Sequence, residues 1–171
     1  RELVKERPLF LREKAVNLDV GAYLYSKIRV LALLNVVQIT TYSLIIWEYV
    51  PVRVPIGWLI LNLLATCLCG TALGLFLSAI APRSDFAVGM VPLVILPQIL
   101  FSEFAISPDQ FAGFSEWAYR LMPAGWGFEG LKEFAATNPE VGTALAYSLP
   151  PLGYGVLFLV LAYPVLWRTS Y

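Results

Sequence analysis

The sequence predicts an all-α integral membrane protein with four transmembrane helices. Of its 171 residues, 58% are apolar and only 14% are charged, and the mean hydropathy is +0.70. An ordinary soluble domain carries about 25% charged residues. Four long apolar stretches follow a charged beginning, and the formal net charge of zero argues against a nucleic-acid partner.

Residues 1–14, RELVKERPLFLREK, form the N-terminal segment, which contains eight of the chain's charged residues. Charged side chains are costly to place in hydrocarbon, so we expect this segment to lie in water at the membrane face. Leu9, Phe10 and Leu11 are then available to contact another surface.

The first predicted span covers about residues 20–48. Tyr23 and Tyr25 are followed by Lys27, and aromatic and basic side chains together are typical of the membrane interface. The apolar stretch that follows is long enough, at about 1.5 Å per residue, to cross about 30 Å of hydrocarbon.

Polar side chains share one face of this span, because Asn35, Gln38 and Tyr42 are spaced three and four residues apart. Hydrogen bonds to neighbouring helices are the favoured interpretation. Direct contact with a transported substrate is the alternative.

The second predicted span, residues 56–80, carries a ridge of small or hydrogen-bonding side chains at every fourth position. The ridge consists of Asn62, Thr66, Gly70, Gly74 and Ser78. Small residues at this spacing let a neighbouring helix approach closely, so we expect the ridge to pack against a neighbour. By this interpretation, Gly74→Leu impairs assembly more than Leu75→Ala does.

The third span is predicted over residues 86–104 and the fourth over residues 149–167. Pro92 and Pro97 interrupt the third span, and internal prolines bend a membrane helix and free backbone carbonyls. The lining of a path and irregular packing are equally compatible with this pattern.

Residues 105–148 connect these two spans and are too polar to cross the membrane and too apolar for an open loop. Trp117 and Trp126 each lie in a short amphipathic stretch. This pattern favours helices that lie on, or dip into, the outer leaflet.

Basic residues determine the predicted orientation. Four spans place both chain ends on one side of the membrane, and that side then carries nine of the 12 basic residues. By the positive-inside rule, this side is predicted to be cytoplasmic.

The chain lacks residue types that most enzyme sites require. It contains no histidine, so a Ser-His-Asp triad is excluded and the commonest metal ligand is missing. Cys67 and Cys69 lie within an apolar run, and we interpret them as packing residues rather than as a redox or metal pair. The sequence has no G-x-x-x-x-G-K-[ST] motif for ATP phosphates. We predict no catalytic residue, metal site or cofactor on this chain.

Three motifs give the chain a family resemblance. Residues 6–13, ERPLFLRE, resemble the ER-x-x-F-x-RE segment of the ABC-2 type permeases, in particular the C-terminal membrane half of G-subfamily ABC exporters. Tyr23 and Lys27 match that family's entry to the next helix. Phe101-Ser102 and residues 123–131, PAGWGFEGL, are similar to its F-S-G motif and to the Y/W-G-F-x-A-L signature near the outer re-entrant region.

The resemblance implies the last four helices of a six-helix half-transporter, with the first two helices preceding Arg1. Such a half-transporter pairs with a second permease half, as a homodimer, in the bacterial inner membrane. An ATP-binding cassette domain, on the same polypeptide or on a separate chain, would bind ATP and Mg²⁺. The N-terminal segment would be the coupling helix that contacts this domain. The coupling residues would be Glu6, Arg7, Phe10, Arg12 and Glu13.

By the same resemblance, the third span would line a central substrate path. The path residues would be Leu96, Gln98, Ile99 and Phe104, together with the polar face Asn35, Gln38 and Tyr42. Glu103 departs from the family pattern, which has glycine at that position. The alternative function is an assembly or anchoring subunit without a transport path, and a membrane enzyme is less favoured.

Overall fold

The computed structural model of the protein describes residues 2–50, 54–102, 113–136 and 138–168. These residues form α-helices joined by turns, with no strand among them, which confirms the predicted all-α class. In chain order the helices are α1 (Glu2–Lys5), α2 (Arg7–Ala15), α3 (Val20–Tyr49), α4 (Ile56–Ile80), α5 (Ser84–Leu100), α6 (Phe114–Leu121), α7 (Pro123–Ala135), α8 (Val141–Ala146) and α9 (Leu149–Arg168).

Three of these helices, α3, α4 and α9, are long and apolar enough to cross a membrane. They contain 30, 25 and 20 residues. Helix α5 is also apolar but has 17 residues, which at about 1.5 Å per residue is shorter than the hydrocarbon core. The predicted third span ends at residues 103 and 104, which lie outside the described residues, so the fourth crossing stays a prediction.

Helix α4 occupies the centre of the bundle and packs most extensively against α9 and α3. Its buried positions are mainly small residues spaced three or four apart, including Ala65, Cys69 and Ala72. A Cβ atom built on Gly155 of α9 lies 3.4 Å from the Cα atom of Cys69. Small residues on both helices therefore allow their backbones to approach closely.

The N-terminal segment packs against one end of the bundle, which we call the proximal end. A cluster of buried side chains joins this segment to the beginning of α3 and to the C-terminal halves of α4 and α9. The cluster contains Leu3, Phe10, Val20, Leu24, Leu75, Ala79, Ala162 and Leu166. The opposite, distal end has its own buried cluster, in which Val54, Leu59 and Phe134 join α4 to α7.

A tight turn leads from α2 into α3. Asn17 has a φ of 76°, a left-handed conformation that asparagine tolerates better than most residues. The Leu18 backbone N–H donates to the Glu13 carbonyl over 3.1 Å, and the Asp19 carboxylate accepts from the Gly21 N–H at the first turn of α3. The turn thereby places α2 beside the beginning of α3.

The ridge on α4 is occupied at its two ends and open in the middle. Asn62 is buried and Thr66 is half-buried, and both contact α7, whereas the Ser78 hydroxyl accepts a hydrogen bond from the N-terminal segment. A Cβ atom built on Gly70 or Gly74 would meet no atom of the described residues within 4 Å. Both glycines line a cavity of about 300 Å³ between α4, α5 and α7.

This arrangement changes the expected order of two substitutions. Leu75 is one of the buried residues of the proximal cluster, whereas Gly74 faces the open cavity. Among the described residues, Leu75→Ala therefore removes buried contacts, whereas Gly74→Leu adds a side chain that points into open space. We now expect Leu75→Ala to be the more damaging substitution. The packing role predicted for Gly70 and Gly74 stays a prediction.

Helix α5 lies at the edge of the bundle. It packs against α1, α4 and α7, and Ala87 is its one fully buried residue. Its remaining apolar side chains, such as Leu93 and Leu96, are largely exposed. This helix therefore has the fewest packing constraints among the long apolar helices.

Candidate coupling site

The N-terminal segment is hydrogen-bonded to the proximal end of α4. The Val4 backbone N–H donates to the Ser78 hydroxyl over 3.0 Å within a buried contact. The Arg7 guanidinium donates to the Ala81 carbonyl over 3.0 Å, and its bond to the Pro82 carbonyl is 3.5 Å. The last carbonyls of a helix have no intrahelical partner, so a cation at this position satisfies them.

A second cation of the segment performs the same role at α9. The Lys14 ammonium donates to the carbonyls of Leu166 and Trp167, over 3.3 and 2.5 Å. These partners are 152 and 153 residues away in sequence, so no local pattern marked Lys14 as a contact residue. Lys14 was not among the predicted coupling residues.

Contacts with α3 complete the attachment of the segment. The Glu6 carboxylate forms an ion pair with Lys27 at 2.6 Å and accepts from the Tyr23 hydroxyl at 3.4 Å. The Lys27 ammonium also lies 5.8 Å from the centre of the Tyr23 ring. Two motifs that are separate in the sequence, ERPLFLRE and the Tyr23–Lys27 pair, are therefore in direct contact.

Phe10 lies in a different place from the one the sequence suggested. Its side chain is 2% exposed, and its ring centre lies 4.8 Å from that of Tyr23. It therefore fills the proximal cluster of this chain rather than projecting toward another protein. Phe10 was predicted to be one of the residues that couple this segment to an ATP-binding cassette domain, and that role stays a prediction.

The opposite face of α2 is open. Pro8, Leu9, Arg12 and Glu13 are all exposed, and their spacing places them on one side of the helix. Leu9 is 52% exposed. Arg12 and Glu13 form no ion pair or side-chain hydrogen bond with the described residues. Among the predicted coupling residues, Glu6, Arg7 and Phe10 thus fasten the segment, whereas Arg12 and Glu13 face outward.

The predicted polar face of the first span divides into a buried and an exposed part. The buried Asn35 amide donates to the Thr71 hydroxyl of α4 over 2.7 Å, an interhelical hydrogen bond of the favoured type. Gln38 and Tyr42 are exposed. Their predicted contact with a substrate is neither supported nor contradicted by this placement.

The predicted path residues of the third span lie on α5. Leu96 and Ile99 are exposed, whereas Gln98 is half-buried and its side-chain amide donates to the Val94 carbonyl over 3.4 Å. Phe104 and Glu103 lie outside the described residues. Helix α3 packs against α4 and α9, whereas α5 packs against α1, α4 and α7. The structure therefore does not gather the two predicted sets of path residues within this chain.

The amino-acid sequence was compared with models of known protein families, and one family matches. A family model described as ABC-2 type transporter matches residues 2–134. The chain belongs to the ABC-2 type transporter family. The matched region of this ABC-2 domain begins in the N-terminal segment and extends into α7, so it contains both the attached face and the open face of α2.

Two curated relatives are similar to this ABC-2 domain. The ABC transporter ATP-binding/permease protein Rv1747 of Mycobacterium tuberculosis is 31% identical over 136 residues, which is 75% of this chain and 16% of that protein. The ABC transporter G family member 45 of Oryza sativa is 26% identical over 130 residues, 74% of this chain and 10% of that protein. The chain thus spans less than a fifth of either relative. It is an integral membrane domain of permease type.

Proposed function

We propose that this chain belongs to the membrane domain of an ATP-driven exporter and receives movement from an ATP-binding cassette domain through the N-terminal segment. One observation carries the proposal. The inner face of α2 is attached to α3, α4 and α9, while its outer face presents Leu9, Arg12 and Glu13. Force applied to this outer face would reach three long helices.

The composition of the outer face suits an interface with a second domain. An apolar side chain flanked by charges can fill a groove while ion pairs form at the rim. The printed name of the mycobacterial relative combines ATP-binding and permease activities. We propose that a comparable domain, on the same polypeptide or on a separate chain, binds ATP and Mg²⁺ and contacts this face.

The positions of the helix ends support a chain that crosses the membrane four times. The beginning of α3 and the C-terminal ends of α4 and α9 all contact the N-terminal segment. The chain leaves α4 at the proximal end and must reach the distal end before it enters α9. We infer that the segment beginning with α5 makes this crossing. Because nine of the 12 basic residues belong to the side that the sequence predicts to carry both chain ends, we infer that the proximal end is cytoplasmic and the distal end is outside the cell.

A second permease half, as a homodimer in the bacterial inner membrane, would cover the apolar faces that this chain leaves open. Tyr42 of α3 and Leu96 and Ile99 of α5 lie on such faces. We propose that these residues, with Gln38 and Gln98, line a substrate path formed with the other half.

The test uses the full-length protein that carries this chain, with every native cysteine, including Cys67 and Cys69, replaced by alanine and Ile99→Cys as a reporter on α5. We expect ATP with orthovanadate to change the rate at which a thiol reagent labels this reporter in vesicles. Arg12→Glu removes most of that response, because a charge reversed at a paired position costs several kcal/mol of interface energy. The amount of inserted protein stays unchanged.

The matched control is Arg83→Glu, which reverses an exposed charge that lies outside the N-terminal segment. This variant keeps the ATP response. An Arg12→Glu variant with the full response would contradict the coupling role. Absence of any ATP response in the unmodified protein would instead favour the anchoring subunit.

A further inference from the structure

Helix α7 lies against α4 with a face made largely of glycine. Its buried residues are Pro123, Gly125, Gly127, Gly130 and Phe134. Phe134 belongs to the distal cluster, so the glycines between it and the beginning of the helix are covered by the bundle. The signature residues 123–131 are therefore an internal contact surface.

Two glycines of this face meet two polar residues of α4. A Cβ atom built on Gly130 would overlap the side-chain amide of Asn62, and one built on Gly127 would overlap the hydroxyl of Thr66. The two polar residues are four apart on α4 and the two glycines are three apart on α7, so each pair lies along one helix face. The side chains of α4 thus fill notches in α7.

Asn62 is the more constrained of the two residues. It is 0% exposed, and its amide donates to the Ser148 hydroxyl, beside the beginning of α9, over 3.0 Å. Its carbonyl oxygen has no hydrogen-bond partner among the described residues. A buried amide with an unmet acceptor costs free energy that an apolar residue would not. Buried polar groups are in some proteins retained because they specify one packing arrangement.

The other end of α4 is attached to the N-terminal segment. Val4 donates to Ser78 and Arg7 donates to Ala81. Asn62 and Ser78 are separated by about 24 Å of continuous helix, at about 1.5 Å per residue. One helix therefore connects the candidate coupling site with α7.

We infer that Asn62 and Thr66 are positioning residues that lock α7 onto α4, so that α4 carries movement of the N-terminal segment to the outer helices. This inference rests on the proposed function. Helix α5 contacts α1, α4 and α7, but the cavity at Gly70 and Gly74 lies between it and the middle of α4. The path lining on α5 can then shift relative to a unit formed by the N-terminal segment, α4 and α7.

The first measurement is the melting temperature of the full-length protein in detergent. Gly130→Ala forces a methyl group against Asn62, and overpacking of this kind lowers the melting temperature by about 4 °C. Adding Asn62→Ala to that variant removes the overlap and restores most of the loss. In the Gly127→Ala and Thr66→Ala pair the rescue is partial, because the remaining Cβ atom of residue 66 lies 3.1 Å from the added Cβ atom. The control is Gly142→Ala on α8, where a Cβ atom meets nothing within 4 Å.

The second measurement separates a positioning role from simple packing. With every native cysteine of the full-length protein replaced by alanine, Ala135→Cys at the end of α7 reports the thiol labelling rate in vesicles with and without ATP and orthovanadate. Gly130→Ala removes this response while ATP hydrolysis stays within about twofold of the parent, a change worth about 0.4 kcal/mol. The Asn62→Ala/Gly130→Ala variant recovers the melting temperature but not the response, because it lacks the Asn62 side chain that positions α7.

Two outcomes would overturn the lock. One is a Gly130→Ala variant that matches Gly142→Ala in melting temperature. The other is a double variant that melts no better than Gly130→Ala alone, or one that recovers the full ATP response without the Asn62 side chain, and the melting criterion applies even if Gly130→Ala yields no folded protein. Failure of the proposed function would give a different result. Gly130→Ala would still lower the melting temperature and Asn62→Ala would still restore it, but the unmodified protein would show no ATP response.

Discussion

Adjacent apolar residues of α2 have opposite surroundings. Phe10 is 2% exposed and Leu9 is 52% exposed, and the difference follows from the turn at Asn17 that places one face of α2 against the bundle. Phe10 packs beneath the charged contacts that attach the segment. Leu9 lies on the open face, where a second domain can reach it.

These two positions differ in their expected effect on stability. Phe10→Ala empties part of the proximal cluster and lowers the free energy of unfolding by about 3–5 kcal/mol. Leu9→Ala truncates a side chain that lies outside the proximal cluster, so it leaves no cavity there and lowers the free energy of unfolding by less than Phe10→Ala does. Thermal melting of the purified full-length protein measures both. Equal losses for the two variants would contradict the placement of Phe10 in the core.

The N-terminal segment and its charges could be recognised from the sequence, but the orientation of its side chains could not. Leu9, Phe10 and Leu11 are consecutive, so they give no helical period that would select one face. The surface that buries Phe10 comes from α4 and α9, far along the chain. The role of Lys14 depends on the same long-range arrangement.

At the level of helices, α4 organises the bundle through small buried residues and two attached ends. The apolar run between Pro55 and Pro82 coincides with this helix, because proline disfavours helical continuation on either side. The ridge was also visible in the sequence. The sequence does not indicate which ridge residues contact a neighbouring helix. Gly70 and Gly74 fit a close helix contact and an open cavity equally well, and the structure places a cavity there.

Leu75 and Gly74 provide a test of this packing. Leu75→Ala lowers the free energy of unfolding by about 2–5 kcal/mol, because it opens a hole beside α9. Gly74→Ala adds one methyl group toward the cavity and is neutral or slightly stabilising, since alanine is the better helix former. Denaturant titration of the full-length protein in detergent compares the two. A larger loss for Gly74→Ala would reveal a further helix packed on the ridge.

On the scale of the whole molecule, the N-terminal segment and the end of α9 meet at one face of the bundle, and α7 and α8 lie at the other. Apolar runs and basic residues predicted this division of the chain, because both are local properties of the sequence. The same local signals do not define the number of crossings, because α5 is short and contains Pro92 and Pro97. Helix α5 has 17 residues, which at about 1.5 Å per residue is shorter than the hydrocarbon core.

The most direct test of the account is the sidedness of Leu9. In the full-length protein with every native cysteine replaced by alanine, Leu9→Cys is treated with a membrane-impermeant thiol reagent in intact cells and in inside-out vesicles, and Gly142→Cys on α8 is the matched control. The account predicts labelling of Leu9→Cys in inside-out vesicles alone, with protection when the ATP-binding cassette domain is assembled, and labelling of Gly142→Cys in intact cells. Labelling of Leu9→Cys in intact cells would contradict it.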